Sequence, residues 1–214
     1  MTGTQVNSKL ERGLFGKYDI AELKANPNWT ALQPPSDPAY AHGVADSVSE
    51  QYHRIDAAWD AANKRLTLSL NAAGGGYWIP YLGNGAAHLA GVAQTAKRGL
   101  GTYTPLMAGG AITWAATGPF SGCHTAAFSP AGGRVFAHVI TPADGYTADT
   151  VVNQVANIAA QVGAAVPAAT AVKQVVNPAG EGFVFWTLVS GVWYRRVVYA
   201  WAGKVTAVEA KTAI

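Results

Sequence analysis

The chain has 214 residues, half of them hydrophobic and only 13% charged, which excludes a disordered segment and suits one domain, 1–214, with a sizeable core. Fifteen Lys and Arg against twelve Asp and Glu leave a net charge of +3, too thinly spread to build a nucleic-acid groove. No stretch reaches the ~18 unbroken apolar residues of a membrane span, and the opening MTGTQVNSKLERGLFGKYDIAELK lacks the apolar core of a signal peptide, so a soluble protein without membrane contact is expected.

The first 45 residues are rich in loop formers, with Pro34 and Pro35 adjacent, and read as an irregular arm laid over the core. From Val44 to Ala61 the spacing of Val48, Tyr52, Ile55 and Trp59 predicts a short helix, with a strand as the alternative for part of it. Arg65–Leu70 alternates as a strand with Leu66, Leu68 and Leu70 on one face. The triplet Gly74–Gly76 has neither the Lys-Ser/Thr of a phosphate loop nor dinucleotide-binding spacing, and leads into a strand Tyr77–Leu82 that Pro80 marks as an edge or bend. A short helix is predicted at Ala86–Ala96. A second starts near Thr150, capped by Thr147 or Asp149, with Val151, Val155, Ile158, Ala159 and Val162 on one face and a stop near Gly163. The last third predicts a meander: Phe183–Val189, a Ser190-Gly191 turn, Val192–Trp201, then Lys204–Val208. Runs such as FVFWTLV are apolar throughout, as in a sheet covered on both faces, so its Trp and Tyr read as core. The fold class is α+β: twisted mixed or antiparallel sheets, sandwich-like, with a few helices outside.

Cys123 is the only cysteine, which excludes an internal disulfide and a Cys-based zinc site and fits a reducing compartment. A lone cysteine is most often a buried small hydrophobe. Its context, Thr117–Pro142, adds chemistry. Ser129-Pro130-Ala131-Gly132 has the residues of a type I turn, and centring a hairpin there pairs Phe128 with Gly133 and Cys123 with His138. Directly opposed residues have Cβ atoms roughly 4.5–5.5 Å apart, so the imidazole can take the thiol proton and hold a thiolate, the working unit of thiol acyl transfer. A slip of one residue would put the two on opposite faces. Ser121 and Gly122 leave the backbone amides near Cys123 open to an oxyanion, and Thr117 is placed to hold the far imidazole nitrogen. His124 is the rival base but points to the other face as the neighbour of Cys123. His42, His53 and His88 lie in less regular segments and read as surface or hydrogen-bonded histidines.

This stretch resembles the glutamine-deamidating bacterial toxins typified by cytotoxic necrotizing factor and Burkholderia lethal factor. Ser121-Gly122-Cys123 is similar to their Ser-Gly-Cys, His138 follows fifteen residues on, and Thr117 stands six residues before the cysteine. Gly132-Gly133 before the histidine, Ile140 and Pro142 after it, and Trp78-Ile79-Pro80-Tyr81 upstream extend the likeness over Trp78–Pro142. The Cys–His separation is longer than in the lethal factor, and His124 after the cysteine is a departure. The resemblance implies a toxin-like protein-glutamine deamidase with Cys123 as nucleophile, His138 as base, and Thr117 or a backbone carbonyl as third group. It implies no metal or organic cofactor, and a monomer acting in a host cytosol on a host protein bearing a reactive Gln. A translation helicase and a Rho-family GTPase are the targets the two toxins suggest. The alternatives are another thiol hydrolase, either peptidase or transglutaminase, and a non-catalytic β-sandwich that binds through its seven Trp and nine Tyr.

Overall fold

The computed structural model describes residues 1–12, 17–19, 48–50, 52–62, 65–79, 101–120, 122–139, 148–176, 181–201 and 204–214. Their strands form two sheets. The larger runs in the order β1 (Lys17–Asp19), β4 (Arg65–Leu70), β3 (His53–Asp60), β5 (Gly76–Ile79), β7 (Trp114–Phe120), β11 (Glu181–Val189), β12 (Val192–Trp201) and β13 (Lys204–Val208). A short β14 (Thr212–Ala213) also pairs with β12. The smaller runs β10 (Val172–Gln174), β8 (His124–Phe128), β9 (Val135–Val139), β6 (Gly101–Tyr103) and β2 (Val48–Glu50).

Three apolar layers hold these sheets. Helix α1 (Gly3–Arg12) lays Val6 and Leu10, one turn apart and fully buried, on Ile55, Leu66, Trp78 and Phe185 of the larger sheet. The end strands β1 and β13 lie beside each other, so this sheet curls around the helix. Between the sheets, Ile79, Phe120, Phe136, Trp186 and Val197 form the second layer. On the far face of the smaller sheet, Ala126, Phe128, Ala137 and Val139 pack under Val155, Ile158 and Ala159 of α2 (Ala148–Gln161). The result is an α+β sandwich of two packed sheets with a helix on each outer face.

Several elements follow the expected pattern. Helix α2 ends in the predicted glycine: Gly163 has φ +66°, Gly163 N–H donates to the Ala160 carbonyl and Ala164 N–H to that of Ala159. That is the two-bond arrangement which satisfies a helix's last carbonyls. Its start at Ala148 places Asp149 inside the first turn, and Thr147 lies outside the described residues. The hairpin β11–β12 turns at Ser190 and Gly191, both with positive φ, and β11 is buried on both faces.

Other expectations are corrected. The described part of Val44–Ala61 holds strands, not a helix, because Ile55, Ala57 and Trp59 alternate on one face opposite Leu70, Leu68 and Leu66. That cross-strand row outweighs a four-residue spacing in a segment too short to sustain a helix by itself. The N-terminal arm expected to be irregular contains α1, whose Val6 and Leu10 are buried against the larger sheet, and the short strand β1. Strand β5 is interior, between β3 and β7, not an edge, and Pro80–Leu82 of the predicted strand lie outside the described residues. Gly76 is a packing position: a Cβ there would lie 2.3 Å from the Trp114 ring. The segments 81–100 and 20–47, with the Ala86–Ala96 helix, His42 and His88, lie outside the described residues.

Candidate active site

The β8–β9 hairpin differs from its predicted register in an informative way. Its strands end at Phe128 and resume at Val135, leaving six residues between them, with Gly133 N–H donating to the Pro130 carbonyl. Arg134 lies in the six-residue loop instead of opposite Ala127, and its backbone exchanges two hydrogen bonds with Met107. The ladder therefore moves by two residues, and Thr125, not Cys123, is directly opposite His138. A shift of two preserves the face. Cys123, one residue before β8, lies on the inter-sheet surface, and His138 lies on the same side, two residues away from direct opposition. His124 sits opposite Val139, on the α2 side of the sheet, and burial lowers its pKa.

Two irregularities aim the remaining groups. Between Val184↔Thr117 and Gly182↔Phe120 the β7–β11 register slips by one residue around Gly118-Pro119. Without that slip, Thr117 and Phe120 would face opposite ways; with it, both reach His138. Gly118 accommodates it because a Cβ would lie 2.4 Å from Phe183. Farther on, Gly122 and Cys123 together oppose Val175: Gly122 N–H donates to the Val175 carbonyl, and Val175 N–H to that of Cys123. This two-against-one pattern is a glycine bulge, and Gly122 holds the φ of +125° it requires. The glycine of Ser-Gly-Cys thus serves the backbone. Its N–H is engaged with Val175, which corrects the expectation that it stands open to an oxyanion. Ser121 lies outside the described residues.

The geometry around His138 defines its chemistry. The ring is fully buried and stacks on Phe120, centroids 4.1 Å apart and planes 11° from parallel. Thr117 Oγ1 lies 2.9 Å from Nδ1 and donates its proton to the Ile79 carbonyl at 2.8 Å. A hydroxyl has one proton, already directed at Ile79, so at this contact Nδ1–H is the donor and Nε2 carries the basic lone pair. Burial pushes the imidazole pKa down to about 3, so near neutrality His138 is neutral. His138 therefore rests as a neutral imidazole, not as the imidazolium of the preformed ion pair expected from spacing alone.

Access is narrow. Cys123 is 6% exposed, and Gly122 beside it borders open space, with nothing within 4 Å of where a Cβ would stand. Sequence reasoning brought Cys123, His138 and Thr117 together but missed Phe120, whose direction depends on the β7 slip. It also missed Thr125 and Thr102, which flank His138 in register on β8 and β6. Alternation within TAAF and GTY shows their faces once the register is known. Among the described residues no group of three or more His, Cys, Asp or Glu side chains is placed to hold a metal ion, and no helix is long and apolar enough to cross a membrane. No protein-family model, curated protein or solved structure matches the chain.

Proposed function

We propose that the chain is a cysteine-dependent protein-glutamine deamidase, with Cys123 as nucleophile and His138 as general base and acid. The observation that carries this reading is the chain of hydrogen bonds from the Ile79 carbonyl through Thr117 to His138 Nδ1, on the sheet face that also bears Cys123. His138 is held at its Nδ1 edge by Thr117 and across its face by Phe120, in the tautomer that leaves the Nε2 lone pair as the acceptor, on the face that bears the sole cysteine.

The proposed steps balance as follows. Sγ attacks the carboxamide carbon of a glutamine side chain while Nε2 takes the thiol proton. The tetrahedral intermediate collapses, the C–N bond breaks, and Nε2–H gives that proton to the leaving nitrogen, releasing ammonia and forming a thioester. Water then attacks the thioester, Nε2 removes its proton, and the C–S bond breaks to yield glutamate and restore the thiol. Thr117 accepts from Nδ1–H throughout and steadies the imidazolium. A protein glutamine in a host cytosol, reached after delivery, is the substrate that the resemblance implies, and its conversion adds one carboxylate to the target.

The test is incubation with a eukaryotic cytosolic extract followed by peptide mass spectrometry and ammonia release. Gln-to-Glu conversion by the wild-type chain and none by Cys123→Ser is the expected result. Chain cleavage would indicate a peptidase, and incorporation of an added amine without glutamate a transglutaminase. Equal ammonia release by Cys123→Ser would remove the nucleophile assignment.

A further inference from the structure

Thr125 is fully buried, and among the described residues its Oγ1 has no hydrogen-bond partner. Leaving a buried hydroxyl unmatched is costly, and native folds rarely keep one without use. Its place is specific. Thr125 is directly opposite His138 and two residues after Cys123 on the same sheet face. Thr125 pairs with His138 on one side and Lys173 on the other, and the rest of this face, from Phe120, Ala127 and Phe136, is apolar, so a valine would serve packing as well.

We infer that Thr125 is a positioning residue whose hydroxyl donates its hydrogen bond to the Cys123 sulfur when that sulfur gives its proton to His138, stabilising the thiolate within the proposed deamidase site. A hydroxyl proton interacts far more strongly with a thiolate than with a thiol, so the bond acts on the charged state selectively. The inference rests on the Cys123–His138 reading and adds a third group to it: Thr117 steadies the imidazolium, and Thr125 steadies the sulfur.

The experiment is iodoacetamide alkylation of the full chain from about pH 5 to pH 8, which needs no substrate. If thiol and imidazole share one proton, the rate stays nearly flat across this range; an unassisted thiol slows about tenfold per pH unit below a pKa of about 8.5. Thr125→Val is expected to keep the flat profile but lower the plateau about tenfold, the effect of one hydrogen bond to a charged acceptor. Its thermal midpoint should be unchanged or higher, because an unmatched hydroxyl is replaced by a methyl. Thr125→Ser should recover the plateau. A wild-type plateau in Thr125→Val overturns the inference and leaves the dyad standing, as does a lowered midpoint, which would mean the hydroxyl is bonded at rest. A tenfold-per-unit slope in the wild-type chain overturns the dyad itself, and with it this inference.

Discussion

Thr117→Val removes the hydroxyl bonded to Nδ1 of the candidate base while keeping nearly the same volume. In the wild-type chain that hydroxyl is fully buried, receives the His138 Nδ1–H at 2.9 Å and donates to the Ile79 carbonyl at 2.8 Å. Valine leaves the ring N–H and the carbonyl without this partner in the inter-sheet layer. At ~1–3 kcal/mol for a buried polar group left unmade, and less for a carbonyl with a second lone pair in use, the loss is roughly 2–3 kcal/mol. That is a large part of a typical stability of about 5–15 kcal/mol and is readable as a shift in urea midpoint at constant slope. Reactivity should fall further. A hydrogen bond to the imidazolium formed on attack is worth ~1.5–3 kcal/mol, so the alkylation plateau should drop roughly 10- to 150-fold. Thr117→Ser should restore both. If Thr117→Val kept the wild-type plateau and midpoint, the tautomer would be set elsewhere and the ordering role of the Ile79–Thr117–His138 chain would be wrong.

Three other outcomes follow from single observations. The folded-state pKa of His138, about 3, lies below its ordinary value of 6.5, so the unfolded chain binds more protons between those two pH values. The associated stability is complete above about pH 6.5 and is lost as pH falls toward about 3; between pH 7 and pH 5 the loss is about 2 kcal/mol. His138→Gln should lack that part of the slope in paired urea titrations, although His124, also lowered by burial, adds a smaller decline of the same sign to both proteins. Gly76→Ala places a methyl against the Trp114 ring, itself fully buried, and should cost about 1–3 kcal/mol by overpacking; an unchanged midpoint would mean the ring has room to yield. Gly122→Ala meets open space but must hold a φ of +125°, so its penalty of about 1–3 kcal/mol is one of backbone strain and should come with slower Cys123 alkylation. A neutral effect in both measurements would show that the bulge is not what aims the cysteine.

Elements whose signals are local were legible in the amino-acid order. Helix α2 carries its apolar stripe and terminal glycine within sixteen residues, and the β11–β12 hairpin carries its own turn, so neither depends on a distant partner. The shared face of Cys123 and His138 was legible for a subtler reason: period-two alternation survives any even error in register, and the error was two. The register itself was not, because the residues at the turn favour a tight four-residue loop, whereas in the fold six residues lie between the strands and Arg134 bridges to Met107, from a separate part of the chain. Likewise, nothing in Thr117–Cys123 alone shows that Phe120 turns to the same side as Thr117; the slip against β11 does that. Helix α1 went unrecognised because only two of its buried residues, Val6 and Leu10, are large and apolar, the others being Gly3 and Asn7, and their burial comes from the sheet that curls around them. Sequence alone thus determined which side chains share a surface, since alternation is a property of one strand. Tertiary structure decided which of them touch and in what protonation state, because contact distance and desolvation are set by strands that meet only after folding.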